Sequence, residues 1–134
     1  METTRGTRIG WTVAAWLIGH VALIAAAILT VFIYSIAIAP GLDNAAYADF
    51  ANWVSPWVSI VVGGPVFFAL GRLLVGKLGP SEGRRAGWIA WALYSTTDLV
   101  IVSTAGAWSG VVIAQWIVSQ SIKLLAVALA TRAS

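Results

Sequence analysis

Long runs of apolar residues, separated by short polar segments, dominate this sequence. The four runs cover residues 9–39, 54–75, 86–103 and 107–130. About 20 apolar residues are enough for a helix to cross the hydrocarbon core of a bilayer. The pattern therefore predicts an all-α membrane protein, in which residues 1–134 form a single domain built as a bundle of four transmembrane helices.

The composition agrees with this prediction and excludes several kinds of site. Hydrophobic residues make up 60% of the chain and charged residues 10%, whereas soluble domains carry about 25% charged residues. The chain has no cysteine and one histidine, His20. Disulfides, thiolate metal sites and a bis-histidine haem within one chain are therefore excluded. We expect no metal and no cofactor.

The positions of the charged residues predict the orientation of the bundle. Basic residues precede the first run, lie between the second and third runs, and occur near the end of the fourth: Arg5, Arg8, Arg72, Lys77, Arg84, Arg85, Lys123 and Arg132. Asp43 and Asp49 lie in the loop after the first run. Cytoplasmic loops are enriched in lysine and arginine, so we expect both termini in the cytoplasm and the chain in the cell membrane, as in a prokaryotic inner membrane.

This topology also explains the net charge of +3. We therefore expect the lipid bilayer as a partner and no nucleic acid. Lys123 lies about two turns before the end of the fourth run, and long basic side chains reach the membrane interface from such positions. The sequence thus gives Lys123 no further role.

The segment between the first two runs, residues 42–52, contains a helical pattern of its own. Asp43 and Asn44 are residues that cap helix starts, and Tyr47, Phe50, Val54 and Trp57 follow at helical spacing. The pattern predicts a short interfacial helix that leads into the second span. An irregular loop with aromatic anchors is the alternative.

Within the second run, Gly63, Gly64 and Pro65 are consecutive. Proline removes a backbone hydrogen bond and clashes with the preceding turn, so we predict a bend near Pro65. Glycine lets helices approach closely in membranes. We therefore predict that Gly63 and Gly64 lie at a contact between helices.

Asp98 is the residue that points most directly to a functional site, because a carboxylate within a span costs about 2.5–3.5 kcal/mol on insertion scales. It must be neutral, paired or hydrated. His20, Gln115 and Ser59 are the predicted partners at a similar depth, and Tyr94 and Trp91 lie on the same helix as Asp98. These six residues form either a binding site or proton relay, or a set of polar contacts that hold the helices together.

Two classes of function are compatible with this polar interior. The chain carries no recognisable catalytic or nucleotide-binding motif, and we expect that it is not an enzyme. The first class is an accessory or scaffold subunit, which packs in a larger membrane complex or forms a homo-oligomer. The alternative is a small proton-coupled transporter, or a membrane-embedded binder of small molecules, that uses Asp98 and His20.

Overall fold

The computed structural model describes residues 4–106 and 108–132, and these residues form four α-helices. Helix α1 covers Arg5–Ile33 and continues as a π-helical turn, Tyr34–Ile38. Helices α2, α3 and α4 cover Asn44–Leu78, Pro80–Thr104 and Gly110–Arg132. The described residues contain no β-strand, so the prediction of an all-helical chain is confirmed.

Three of the four helices are long and apolar enough to cross a membrane. They are α1 with its π-helical turn, α2 and α4. Helix α3 has a suitable length of 25 residues, but Ser95, Thr96, Thr97 and Asp98 interrupt its apolar character. Within the protein itself, only 6% of the most apolar stretch of α1 is buried, against 44% for α2.

Helix α2 is the central element of the bundle. It packs against α1, α3 and α4, whereas α1 and α4 each pack mainly against α2 and α3. Helices α1 and α4 therefore lie on opposite sides of the α2–α3 pair. Every interior site in this arrangement includes side chains from α2 or α3.

Basic residues gather at one end of the bundle, where α1 and α3 begin and α2 and α4 end; we call this the basic end. Here Arg8 of α1 forms an ion pair of 2.7 Å with Glu82 of α3. The guanidinium of Arg84 donates a hydrogen bond of 3.3 Å to the carbonyl oxygen of Thr131 on α4. The hydrogen bond from Arg8 lowers the pKa of Glu82 below its ordinary value.

The corner between α1 and α2, at the opposite or distal end, differs from the sequence prediction. No separate interfacial helix forms, because the helical segment from Asn44 continues without a break into α2. The Asp43 side chain caps this helix by accepting a hydrogen bond from the amide of Ala46. The Tyr47 hydroxyl donates to the Ala39 carbonyl oxygen and accepts from the Leu42 amide, which ties the corner together.

The tightest packing lies in the half of the bundle nearer the basic end. Its core contains a cluster from α1, α2 and α3: Ala15, Leu70, Leu74, Leu78, Ala86 and Ala90. Close helix contacts continue at Gly83 of α3, where an added Cβ would lie 2.5 Å from the Cα of Val75. This half is therefore closely packed.

The glycine pair of α2 lies at a contact between helices, as predicted. A Cβ added to Gly63 would lie 2.6 Å from the Lys123 side chain, and one added to Gly64 would lie 3.1 Å from Ile122. Both neighbours belong to α4. Helix α2 runs through Pro65 without interruption, and the bend at this residue stays a prediction.

Candidate functional site

Lys123 lies in the interior of the bundle, and its side chain is 0% exposed. Its Nζ atom donates hydrogen bonds to the hydroxyl oxygens of Ser59 on α2 and Ser119 on α4. The same ammonium lies 5.0 Å from the centroid of the Tyr94 ring on α3. Three helices therefore surround one buried basic group, and the absence of a side chain at Gly63 leaves room for it.

The prediction that Lys123 extends to the membrane interface is therefore wrong. The sequence did contain a signal for its interior position. Ser119 lies one helical turn before Lys123 on α4, and Ser59 lies one turn before Gly63 on α2. Residues four apart share a helix face, so each helix offers a serine on the face where the lysine has to fit.

Asp98 is connected to α4 through the side chain of Gln120. The Gln120 amide nitrogen donates to the Asp98 carboxylate at 2.8 Å, and its amide oxygen accepts from the Ser95 hydroxyl at 2.8 Å. The indole nitrogen of Trp91 donates to the backbone carbonyl oxygen of Gln120 at 3.1 Å. This chain of hydrogen bonds fixes α3 against α4 and holds the carboxylate in one orientation.

Helix α1 contributes His20, whose ring lies 4.3 Å from the Tyr94 ring between centroids. The Nδ1 atom lies 3.1 Å from the carbonyl oxygen of Trp16. A proton on Nδ1 satisfies that carbonyl and leaves Nε2 as an acceptor. The Nε2 atom is buried and has no hydrogen-bond partner within the described chain.

Two cavities meet at the level of Ser59 and Asp98. One, of about 580 Å³, lies between α2, α3 and α4. The other, of about 790 Å³, lies between α1, α2 and α3. Both are lined by the same four residues of α2 and α3: Ser55, Ser59, Asp98 and Ile101.

The two cavities have different walls. The smaller one adds polar groups, namely Asn52, Gln115, Trp116 and Ser119. The indole nitrogen of Trp116 is buried and is directed toward the Asp98 carboxylate. The larger cavity has His20 and Tyr94 beside Asp98, and the α1 side of it is apolar: Leu23, Ile24, Ala27, Ile28, Val31 and Phe32.

Of the six residues predicted for the site, five line these cavities. Asp98 and Ser59 lie between both, His20 and Tyr94 line the larger, and Gln115 lines the smaller. Trp91 lies outside the cavity walls and supports the site through Gln120. Gln115 shares a cavity with Asp98, but the hydrogen bond to Asp98 comes from Gln120, one and a half turns along α4.

No metal centre is evident in residues 4–106 and 108–132, which hold no group of three or more histidine, cysteine, aspartate or glutamate side chains suited to an ion. The fold and site thus define a helical bundle with a charged, polar interior and two cavities. No protein family, curated protein or solved structure matches the chain.

Proposed function

We propose that this chain is a small multi-pass membrane protein that binds a solute in the cavities at Ser59 and Asp98 and moves it across the bilayer in exchange with protons. The observation that carries this proposal is the meeting of both cavities at a carboxylate, beside a lysine that is fully buried. Charged residues within transmembrane segments almost always face the protein interior or a water-filled cavity, and they mark ion and substrate pathways.

The membrane location and orientation are part of this proposal. Three apolar helices support it, and so does the large apolar surface of α1, which the protein itself leaves uncovered. All the described basic residues except Lys123 lie in the half of the bundle that ends at the basic end. The positive-inside rule then assigns this end, with both termini, to the cytoplasm and the distal end to the outside. Helix α3 would be the fourth span, and its exposed apolar side chains, among them Trp88, Ile89 and Leu93, would face lipid.

The packing of the bundle indicates the side from which the solute enters. Toward the basic end, alanine and leucine side chains of α1, α2 and α3 fill the interior, and α2 and α3 are in close backbone contact at Gly83. Toward the distal end, the larger cavity extends past Ser35 and Tyr47, and the smaller one reaches Asn52 and Ala105. The described conformation would therefore receive solute from the outside.

A flux assay in liposomes tests this function. Purified protein is reconstituted with a pH-sensitive dye inside, and one of two impermeant probes is added outside: benzyltrimethylammonium or benzenesulfonate. We expect one probe to change the internal pH with the wild-type chain. Asp98→Asn should lower the flux by about tenfold or more, because it removes the charge that both cavities share.

Retention of the helical circular-dichroism spectrum by Asp98→Asn is the control for folding. A second control is Asp43→Asn, which changes an exposed cap residue at the distal end and should leave the flux unchanged. Wild-type liposomes that respond to neither probe, or an Asp98→Asn variant that transports like the wild type, would contradict the proposal.

A role as an accessory subunit is the second candidate, and one observation favours it. The α1 side of the larger cavity is a continuous apolar surface, which suits the apolar face of another transmembrane helix. In that case the polar contacts at Asp98 and His20 serve assembly. Mild detergent would then extract the protein from its native membrane in a stable complex with a partner or with further copies of itself. The purified chain would give no flux.

A further inference from the structure

The interior of the described bundle contains one lysine, Lys123, and one carboxylate, Asp98, and they influence each other electrostatically. When both are ionised, their charges cancel. The two groups do not bond directly, because the ammonium donates to Ser59 and Ser119 and the carboxylate accepts from Gln120. One positive and one negative group are therefore held by separate polar partners, and each is influenced by the charge of the other.

We propose that the solute bound at Asp98 is an organic cation and that Lys123 releases its proton when this cation binds. The inference rests on the proposed function and adds to it the charge of the solute and the residue that supplies the exchanged proton. The proposal depends on which charged side chains a solute can contact from the cavities.

Asp98 is the charged residue that lines both cavities, whereas Lys123 lines neither of them. A solute in either cavity therefore meets the carboxylate first. The rings of Tyr94 and His20 lie beside it, and aromatic faces attract cations. The apolar α1 side of the larger cavity would contact the hydrocarbon part of such a solute.

A second positive charge at this place would be unfavourable while Lys123 keeps its own. Charges interact strongly where the surroundings are apolar, and an uncompensated buried charge is costly. Loss of one proton restores neutrality: the –NH₃⁺ of Lys123 becomes –NH₂, and the cation takes over as the counter-charge of Asp98. The neutral amine can still hydrogen-bond with the two serine hydroxyls.

Ser59 provides the route for this proton to both cavities, whereas Ser119 reaches only the smaller one. The Ser59 hydroxyl accepts a hydrogen bond of 2.7 Å from Lys123 and lines both cavities. The hydroxyl can receive the lysine proton and pass its own proton to water in the cavity, so that the serine ends unchanged. One cation enters and one proton leaves, and the charge of the interior stays the same.

The other groups around Lys123 limit the alternatives. Helix α1 presents His20, α2 presents the uncharged Ser59, and α3 presents Tyr94 and Asp98. Asp98 is the main competitor as a proton donor. The test must therefore identify the residue that loses the proton and not only count protons.

Nuclear magnetic resonance of the lysine side chains makes this distinction, because the chain has only two lysines, Lys77 and Lys123. Full-length Lys77→Arg protein is labelled with carbon-13 at lysine Cε and embedded in nanodiscs, so that a single signal reports the charge of Lys123. The probe is benzyltrimethylammonium, and neopentylbenzene, its uncharged isostere, is the matched control.

We expect the cation to move the Lys123 signal from the position of a charged lysine to that of a neutral one, and to bind about tenfold more tightly than the isostere. The isostere should leave the signal in place. Ser59→Ala should slow the response, while Ser81→Ala, at an exposed position near the basic end, should not.

Two results would overturn the inference and leave the proposed function intact. One is a cation that binds while Lys123 keeps its charge, so that the exchanged proton must come from another group. The other is a flux response to benzenesulfonate in place of the cation. Binding of neither probe would contradict the inference and the proposed function together.

Discussion

Replacing Asp98 with leucine is expected to lower the free energy of unfolding by about 3 kcal/mol, as is typical when one partner of a buried charge pair is removed. The substitution removes the acceptor for the Gln120 amide. It also leaves the ammonium of Lys123, which is 0% exposed, without a counter-charge in an apolar interior. Denaturation by sodium dodecyl sulfate in mixed micelles, followed by circular dichroism, measures the effect.

Two control variants separate the causes of this loss. Asp98→Asn keeps an acceptor for Gln120 but not the charge, and we expect about half of the destabilisation. The double variant Asp98→Leu with Lys123→Met removes both charges and should recover part of the lost stability. An Asp98→Leu protein as stable as the wild type would show that the two groups are not coupled.

The second large effect is expected at Gly63, which faces Lys123 across the α2–α4 contact. An added Cβ would already lie 2.6 Å from Cε of Lys123, so Gly63→Leu must displace the lysine or separate the helices. Overpacking of this kind costs about 1–3 kcal/mol. We expect the upper end of that range in the same unfolding assay, because the hydrogen bonds to Ser59 and Ser119 are lost as well.

Helix α2 offers a matched control for this substitution. Gly76 lies on the same helix, is exposed, and has no atom within 4 Å of an added Cβ. Gly76→Leu should therefore leave the stability unchanged or raise it slightly, since glycine is a poor helix former. Equal effects at the two positions would mean that the α2–α4 contact at Lys123 is not close.

The helical content of the bundle could be predicted from the sequence because apolar runs of about 20 residues have few other solutions. Helix α3 extends beyond the apolar run that starts at residue 86 and begins at Pro80, since proline is well tolerated in the first turn of a helix. The segment from Asn44 looked like a separate helix, but nothing in it breaks the hydrogen-bond ladder before Val54.

The candidate site was predicted in part. Asp98, Ser59, His20 and Tyr94 were recognisable because each is polar or aromatic within an apolar run. Lys123 was missed because its distance from the chain end permits two positions, at the interface or in the interior. Only the packing decides between them, through the space at Gly63 and the hydroxyl of Ser59. The sequence pairs Asp98 with Gln115, whereas the hydrogen bond comes from Gln120, because a similar depth in the membrane does not fix the helix face on which a residue lies.

The central claim is that a polar cavity opens from the outside and ends at Asp98. The most direct test uses the absence of cysteine from the chain. Ser55 lines both cavities, whereas Ala90 is 4% exposed in the packed half. In intact cells, Ser55→Cys should react with an impermeant charged thiol reagent added outside, and Ala90→Cys should not. A Ser55→Cys variant that reacts only when the reagent reaches the cytoplasmic side, or not at all, would contradict the account.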